Sequence, residues 1–188
     1  MDSGIASRVT LGLIVAGLLL TCLGANLGRT LVEMPAWRQL GAETWAAFSR
    51  LSDLGNGRII YPIEGIGGML FILAAAIAFR LSPRRPLSVA IPIYGAALMA
   101  ICVLLFTTQA APIMLSIRRI DNDPAALQQA FEGFNRWDSI RAVFAALGCC
   151  AKVWALVALL SVSFGNEEQP KNKSNRNSRS GQTIVEDI

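Results

Sequence analysis

Apolar residues gather in four long runs along this chain, at about positions 9–27, 59–79, 87–106 and 140–164. A bilayer core of about 30 Å is crossed by about 20 mostly apolar residues in helical form, and each run reaches or approaches that length. The pattern predicts an all-α fold, a four-helix transmembrane bundle. The first run follows Arg8, as a secretory signal would. At about 19 residues it exceeds a usual signal core, and no clear small-x-small site follows it, so it reads as an uncleaved span.

The connections are patterned too. In the first, at positions 28–58, Pro35 opens a stretch with Trp37, Leu40, Thr44, Phe48 and Leu51 at helical spacing, and Gly55 follows it. Proline at the start and glycine past the end mark one short amphipathic helix, expected to lie over the spans as a lid. The second connection, 80–86, is short and holds Arg80, Arg84 and Arg85, so spans two and three form a tight antiparallel hairpin. In the third, Asp123 caps a second amphipathic helix that begins at Pro124. Leu127, Phe131, Phe134 and Asp138 keep one face of it, leading into the fourth run. Pro62 sits where a helix start tolerates it, and Gly65, Gly67 and Gly68 permit close helix approach. Domain organisation follows: a four-span domain over 1–164, then a polar tail at 165–188 whose composition predicts disorder.

Composition supports the membrane reading. Of 188 residues, 53% are hydrophobic and only 16% charged. The net charge of +4 does not indicate nucleic acid, because the basic residues sit at span edges and in the tail, where they set topology and meet lipid headgroups. Lys and Arg number eight on the side of the N-terminus, the 80–86 loop and the tail, and seven on the other. The density of the short loop decides, placing both termini in the cytoplasm and the protein in the inner (plasma) membrane. The four cysteines, Cys22, Cys102, Cys149 and Cys150, all fall inside spans and read as small packing residues. There is no histidine, which removes the commonest general base and metal ligand. No metal site, phosphate loop, nucleophile triad or internal repeat is evident, and no cofactor is expected.

Charge within a span costs about 2.5–3.5 kcal/mol on insertion scales, so Glu64, Arg141 and Lys152 each need a reason. Glu64 lies about 7 Å into span two and Arg141 opens span four at the same level, so the two are expected to pair. Lys152 is about 17 Å further along that helix. It can snorkel, reach toward Glu64 or line a cavity. A structural ion pair and a ligand or proton site both fit. At the same membrane level lie Asn26, Tyr61, Gln109 and Trp137, which makes them candidate binding residues around a cavity between helices. An ordinary interfacial belt accounts for them as well.

Several short motifs carry a family resemblance. Asn26-Leu27-Gly28-Arg29, Glu33-Met34-Pro35-Ala36, the Trp/Phe helix and Tyr61-Pro62 resemble the small four-span proteins related to anthrone oxygenases. So does Phe134-Asn135-Arg136-Trp137-Asp138-Ser139-Ile140-Arg141, which is similar to that family's Trp-x-x-x-Arg element. The likeness covers about residues 9–164. It implies a membrane oxygenase that uses O₂ on a polycyclic phenolic substrate without metal or flavin. Such chemistry needs a base to form a carbanion and a positive group for the oxyanion. Trp137 and Arg141 match the family element; Glu64 as the base follows from its position in the span.

Three functional readings stand at this point. The chain is a cofactor-independent oxygenase or a binder of an apolar or aromatic small molecule; or a non-catalytic helper binding lipid, quinone or a partner protein; or a proton path using Glu64 and Lys152. The expected partners are membrane lipids and an apolar small molecule, with a homo-oligomer left open and no nucleic acid.

Overall fold

A computed structural model describes residues 3–22, 28–83 and 85–181, with the side chains of 3–4, 21–22, 30 and 163–181 left aside. Its elements are all helical. They are α1 (Ser3–Cys22), a π-helical turn (Arg29–Glu33) running into α2 (Met34–Leu40), α3 (Ala42–Leu51), α4 (Gly57–Arg80), α5 (Leu87–Ser116) and α6 (Pro124–Gly181). Three are long and apolar enough to cross a membrane: Gly57–Arg80, Leu87–Ser116 and, within α6, Pro124–Val162. The apolar stretch of α1, Ile5–Leu20, is shorter. The chain is therefore a helical membrane protein.

The long helices close a ring. α5 packs most extensively on α6, α1 on α4, and the circle is completed by α4 against α5 and α1 against α6. Thus α4 and α6 sit diagonally across the bundle. Glycine brings α1 and α4 together: a Cβ on Gly17 would stand 3.4 Å from the Gly68 carbonyl oxygen. In the α4–α5 hairpin, Phe79 meets Tyr94 edge-on at 6.4 Å. The bundle interior is built on Ile14, Ile72, Phe79, Val89, Ile93 and Leu159. Outward, the same helices expose Leu70, Ile77, Leu98, Leu105, Val143 and Val157, a surface that hydrocarbon solvates and water does not.

A second core lies beyond one end of the bundle. At 30 residues α5 is about 45 Å long, and the membrane uses only about 30 Å of it. The excess, with the first turns of α6, supports α2 and α3 as a cap. Met34, Trp37, Trp45, Leu54, Met114, Ile117, Leu127, Phe131 and Phe134 are buried there. Trp45 is fully buried, its ring 5.2 Å from Phe131 and 5.6 Å from Phe134.

Two expectations change here. The single lid helix is two helices, broken at Gly41, whose φ of 89° is left-handed and suits glycine alone. The break rotates the second half, so the buried face is Trp37, Ala42, Trp45, Ala46 and Ser49, while Leu40, Phe48 and Leu51 of the expected stripe are exposed. The backbone of α6 also runs as helix to Gly181, into the segment expected to be a disordered tail, while 182–188 lie outside the described residues. The start of α6 is as expected, with the Asp123 carboxylate accepting from the Ala125 N–H at 3.0 Å, and no break separates its amphipathic first turns from its span.

Candidate functional site

Where cap meets bundle, Arg29 and Asp53 form a buried ion pair. Two Arg29 guanidinium nitrogens donate to the two carboxylate oxygens of Asp53, at 3.2 and 2.6 Å. The Tyr61 hydroxyl, from the first turns of α4, donates to Asp53 Oδ1 at 3.1 Å. The Arg29 guanidinium also lies 5.6, 5.5 and 5.0 Å from the ring centres of Trp37, Tyr61 and Phe134, within cation–π range of all three. Gly57 makes room for this arrangement: a Cβ there would fall 2.6 Å from Tyr61 Cε2.

Other arginines stitch the cap down. Arg50 donates to the carbonyls of Ile117 and Ile120 at 3.3 and 2.8 Å and to Asn122 at 3.1 Å. Arg118 donates to the Leu54 carbonyl, and Arg38 to Asn135 at 2.9 Å.

Two cavities open from this seam. The smaller, about 300 Å³, lies between α4, α5 and the cap and is bordered by Arg29, Asp53, Arg58, Tyr61, Thr107, Phe134 and Arg141. The larger, about 1120 Å³, runs along the inner face of α6. Its walls are mainly apolar, with Leu18, Met69, Met99, Val143 and Phe144, and its polar groups include Arg38, Asp138, Ser139, Arg141 and Lys152. Gly65, Ala100, Val103 and Arg141 border both, so Arg141 stands at their junction. It donates to Asp138 one helical turn earlier. Asp138 is 1% exposed, and its Oδ2 has no hydrogen-bond partner. Lys152 is 3% exposed.

The residues expected from sequence divide accordingly. Tyr61, Arg141 and Lys152 border the cavities. Glu64 borders neither, and among the described residues it forms no ion pair; its Oε2 is buried without a hydrogen-bond partner. The expected Glu64–Arg141 pair is therefore absent, since α4 and α6 are diagonal and Arg141 takes its own helix neighbour Asp138. Trp137 packs on the cap core and stacks on Phe106 at 6.2 Å, away from the cavities. Gln109 is exposed, and Asn26 lies outside the described residues. Thr107 and Thr108 spend their hydroxyls on their own helix, donating to the Val103 and Leu105 carbonyls at 2.8 and 2.7 Å.

The cysteines need a correction as well: Cys149 is disulfide-bonded, while Cys102 and Cys150 are free thiols. An apolar run gives a thiol's depth, and says nothing of which thiol faces it. Among the described residues no His, Cys, Asp and Glu group is arranged to hold a metal ion.

Sequence reasoning does not single out Arg29 and Asp53 as site residues. They are 24 positions apart and both sit in connections, where no periodicity links them. The i, i+3 spacing of Asp138 and Arg141 is a readable signal, since such neighbours share a helix face. Comparison with protein-family models, with curated proteins and with solved structures returns no match.

Proposed function

We propose that this is a four-span membrane protein that binds an apolar or aromatic small molecule inside its helix ring. One observation carries the reading: a largely apolar cavity of about 1120 Å³ with a cluster of buried polar and charged groups at one end. Ligand sites of about 300–1,000 Å³ combine apolar walls with a few fixed polar groups in this way. The oxygenase chemistry implied by the resemblance to anthrone oxygenases needs a base beside the substrate. Glu64 borders neither cavity, so binding is the reading the geometry supports best.

In this proposal α1 is the fourth span, because it closes the ring against α4 and α6. Both termini are cytoplasmic, the membrane is the inner (plasma) membrane, and the cap lies outside. The near-equal count of basic residues on the two sides then has a physical account. Four of the seven outer arginines, Arg29, Arg38, Arg50 and Arg118, hold the cap through internal hydrogen bonds. A Pro83→Cys variant, at an exposed position of the loop between α4 and α5, tests the orientation. A membrane-impermeant maleimide should label it above the parent protein only after the cells are lysed, and such labelling in intact spheroplasts would reverse the topology.

Binding is tested with the protein in nanodiscs and the neutral aromatic probe N-phenyl-1-naphthylamine. Saturable fluorescence above that of empty nanodiscs is expected. Val103→Trp, at a position bordering both cavities, should weaken it. No saturable component, or an unaffected Val103→Trp protein, refutes the binding site.

A further inference from the structure

Arginine is costly at membrane depth and persists there when something repays it. Around the smaller cavity stand three arginines, Arg29, Arg58 and Arg141, against one carboxylate, Asp53. That carboxylate is already engaged by Arg29 and Tyr61. Arg141 is shared with Asp138. Arg58 is exposed at the mouth and has no carboxylate partner among the described residues. The junction therefore carries excess positive charge, and the larger, mostly apolar cavity leads directly away from it past Arg141.

Building on the binding reading above, we propose that the occupant is an anionic amphiphile. Its carboxylate or phosphate head is held by Arg58 and Arg141 at the junction, and its hydrocarbon portion fills the larger cavity. The guanidinium fork suits either oxyanion by paired N–H donors. One observation argues for the opposite charge: the unpartnered Asp138 Oδ2 on the wall of the larger cavity would accept from an ammonium head. The surplus of arginine at the junction outweighs it. Asp138 already faces Arg141, and its free oxygen is satisfied by a hydroxyl or water beside the anion.

The test uses the full-length protein in phosphatidylcholine nanodiscs and tritiated palmitate, with empty nanodiscs subtracted. Palmitic acid, methyl palmitate and hexadecylamine are compared as competitors. The acid should compete at least about tenfold better than the ester or the amine, as one charge-assisted hydrogen bond implies. Arg141→Gln should bring the acid-over-ester ratio toward one. Arg58→Gln, at an exposed position whose change spares the core, should do the same while the melting curve stays that of the parent. Nanodiscs containing phosphatidylglycerol separate two sources of the head. Loss of palmitate binding there identifies a bilayer phospholipid as the occupant, and retained binding identifies a free acid; both support an anionic head.

Equal competition by acid, ester and amine, or preference for the amine, overturns the anionic assignment and leaves the neutral-probe binding site standing. An acid preference that survives both substitutions overturns the placement of the head. If palmitate does not bind saturably while the neutral probe does, the anionic amphiphile is wrong. If neither binds, the cavity reading fails as a whole.

Discussion

Replacing Asp53 by alanine should cost this protein a large share of its stability. The Arg29 and Asp53 side chains are 5% and 2% exposed, so the pair is shielded from solvent. Removing one member leaves a guanidinium buried among three aromatic rings with no anion, and breaking a buried pair this way costs about 3–5 kcal/mol. The stranded Tyr61 hydroxyl adds to that, since hydrogen bonds to charged groups contribute about 1.5–3 kcal/mol and are not additive with the pair. Against a typical total of about 5–15 kcal/mol, the cap should be the first part to open.

The assay is equilibrium unfolding in mixed micelles with increasing dodecyl sulfate, followed by the fluorescence of Trp37 and Trp45, both buried in the cap. Two controls separate charge burial from general damage. The double variant Arg29→Met with Asp53→Leu removes both charges and should recover most of the loss, because a buried ion pair has little net advantage over apolar groups of similar size. The deficit of Asp53→Ala should also be nearly the same at low and high salt, since buried charges are poorly screened. A deficit below about 1 kcal/mol, the range of exposed ion pairs, would refute the reasoning. So would a double variant no more stable than Asp53→Ala.

Three further outcomes follow from the same geometry. Gly57→Ala should displace the Tyr61 ring, whose Cε2 lies 2.6 Å from the new methyl position, and cost about 1–3 kcal/mol in the same unfolding assay; an unchanged midpoint would contradict the close approach. Gly41→Ala should lose about 1–3 kcal/mol, because the φ of 89° at the α2–α3 break is strained for any residue with a Cβ; a neutral result would mean the two helices join differently. In single-tryptophan proteins reconstituted with brominated lipid, Trp154, which is 56% exposed on α6, should be strongly quenched and the fully buried Trp45 should not. Equal quenching would contradict the placement of cap and span.

The long apolar helices were legible because a membrane imposes one rule, length times hydropathy, that a sequence states directly. The Asp123 cap was legible for a similar reason, being a local hydrogen bond between near neighbours. What escaped was set by tertiary geometry. Equal depth made Glu64 and Arg141 look like partners, but depth is one coordinate, and position around the ring is another that the sequence does not print. The lid stripe failed at Gly41, where one glycine reset the helical phase for everything after it. Arg29 and Asp53 looked like solvated loop charges, and only packing of the cap on α5 and α6 encloses them.

The unbroken course of α6 has a mechanical consequence. Phe131 and Phe134 anchor it in the cap core, and Asp138, Arg141 and Lys152 follow on the same rod along the cavities. With no proline or loop between them to absorb a rotation, any tilt of the cap is delivered undiminished to the charged end of the cavity. The helix works as a lever whose short arm lies outside the membrane and whose long arm lies within it. Seating of the cap and the shape of the cavity are then one degree of freedom, and a ligand that resets Arg141 should be felt at Trp45.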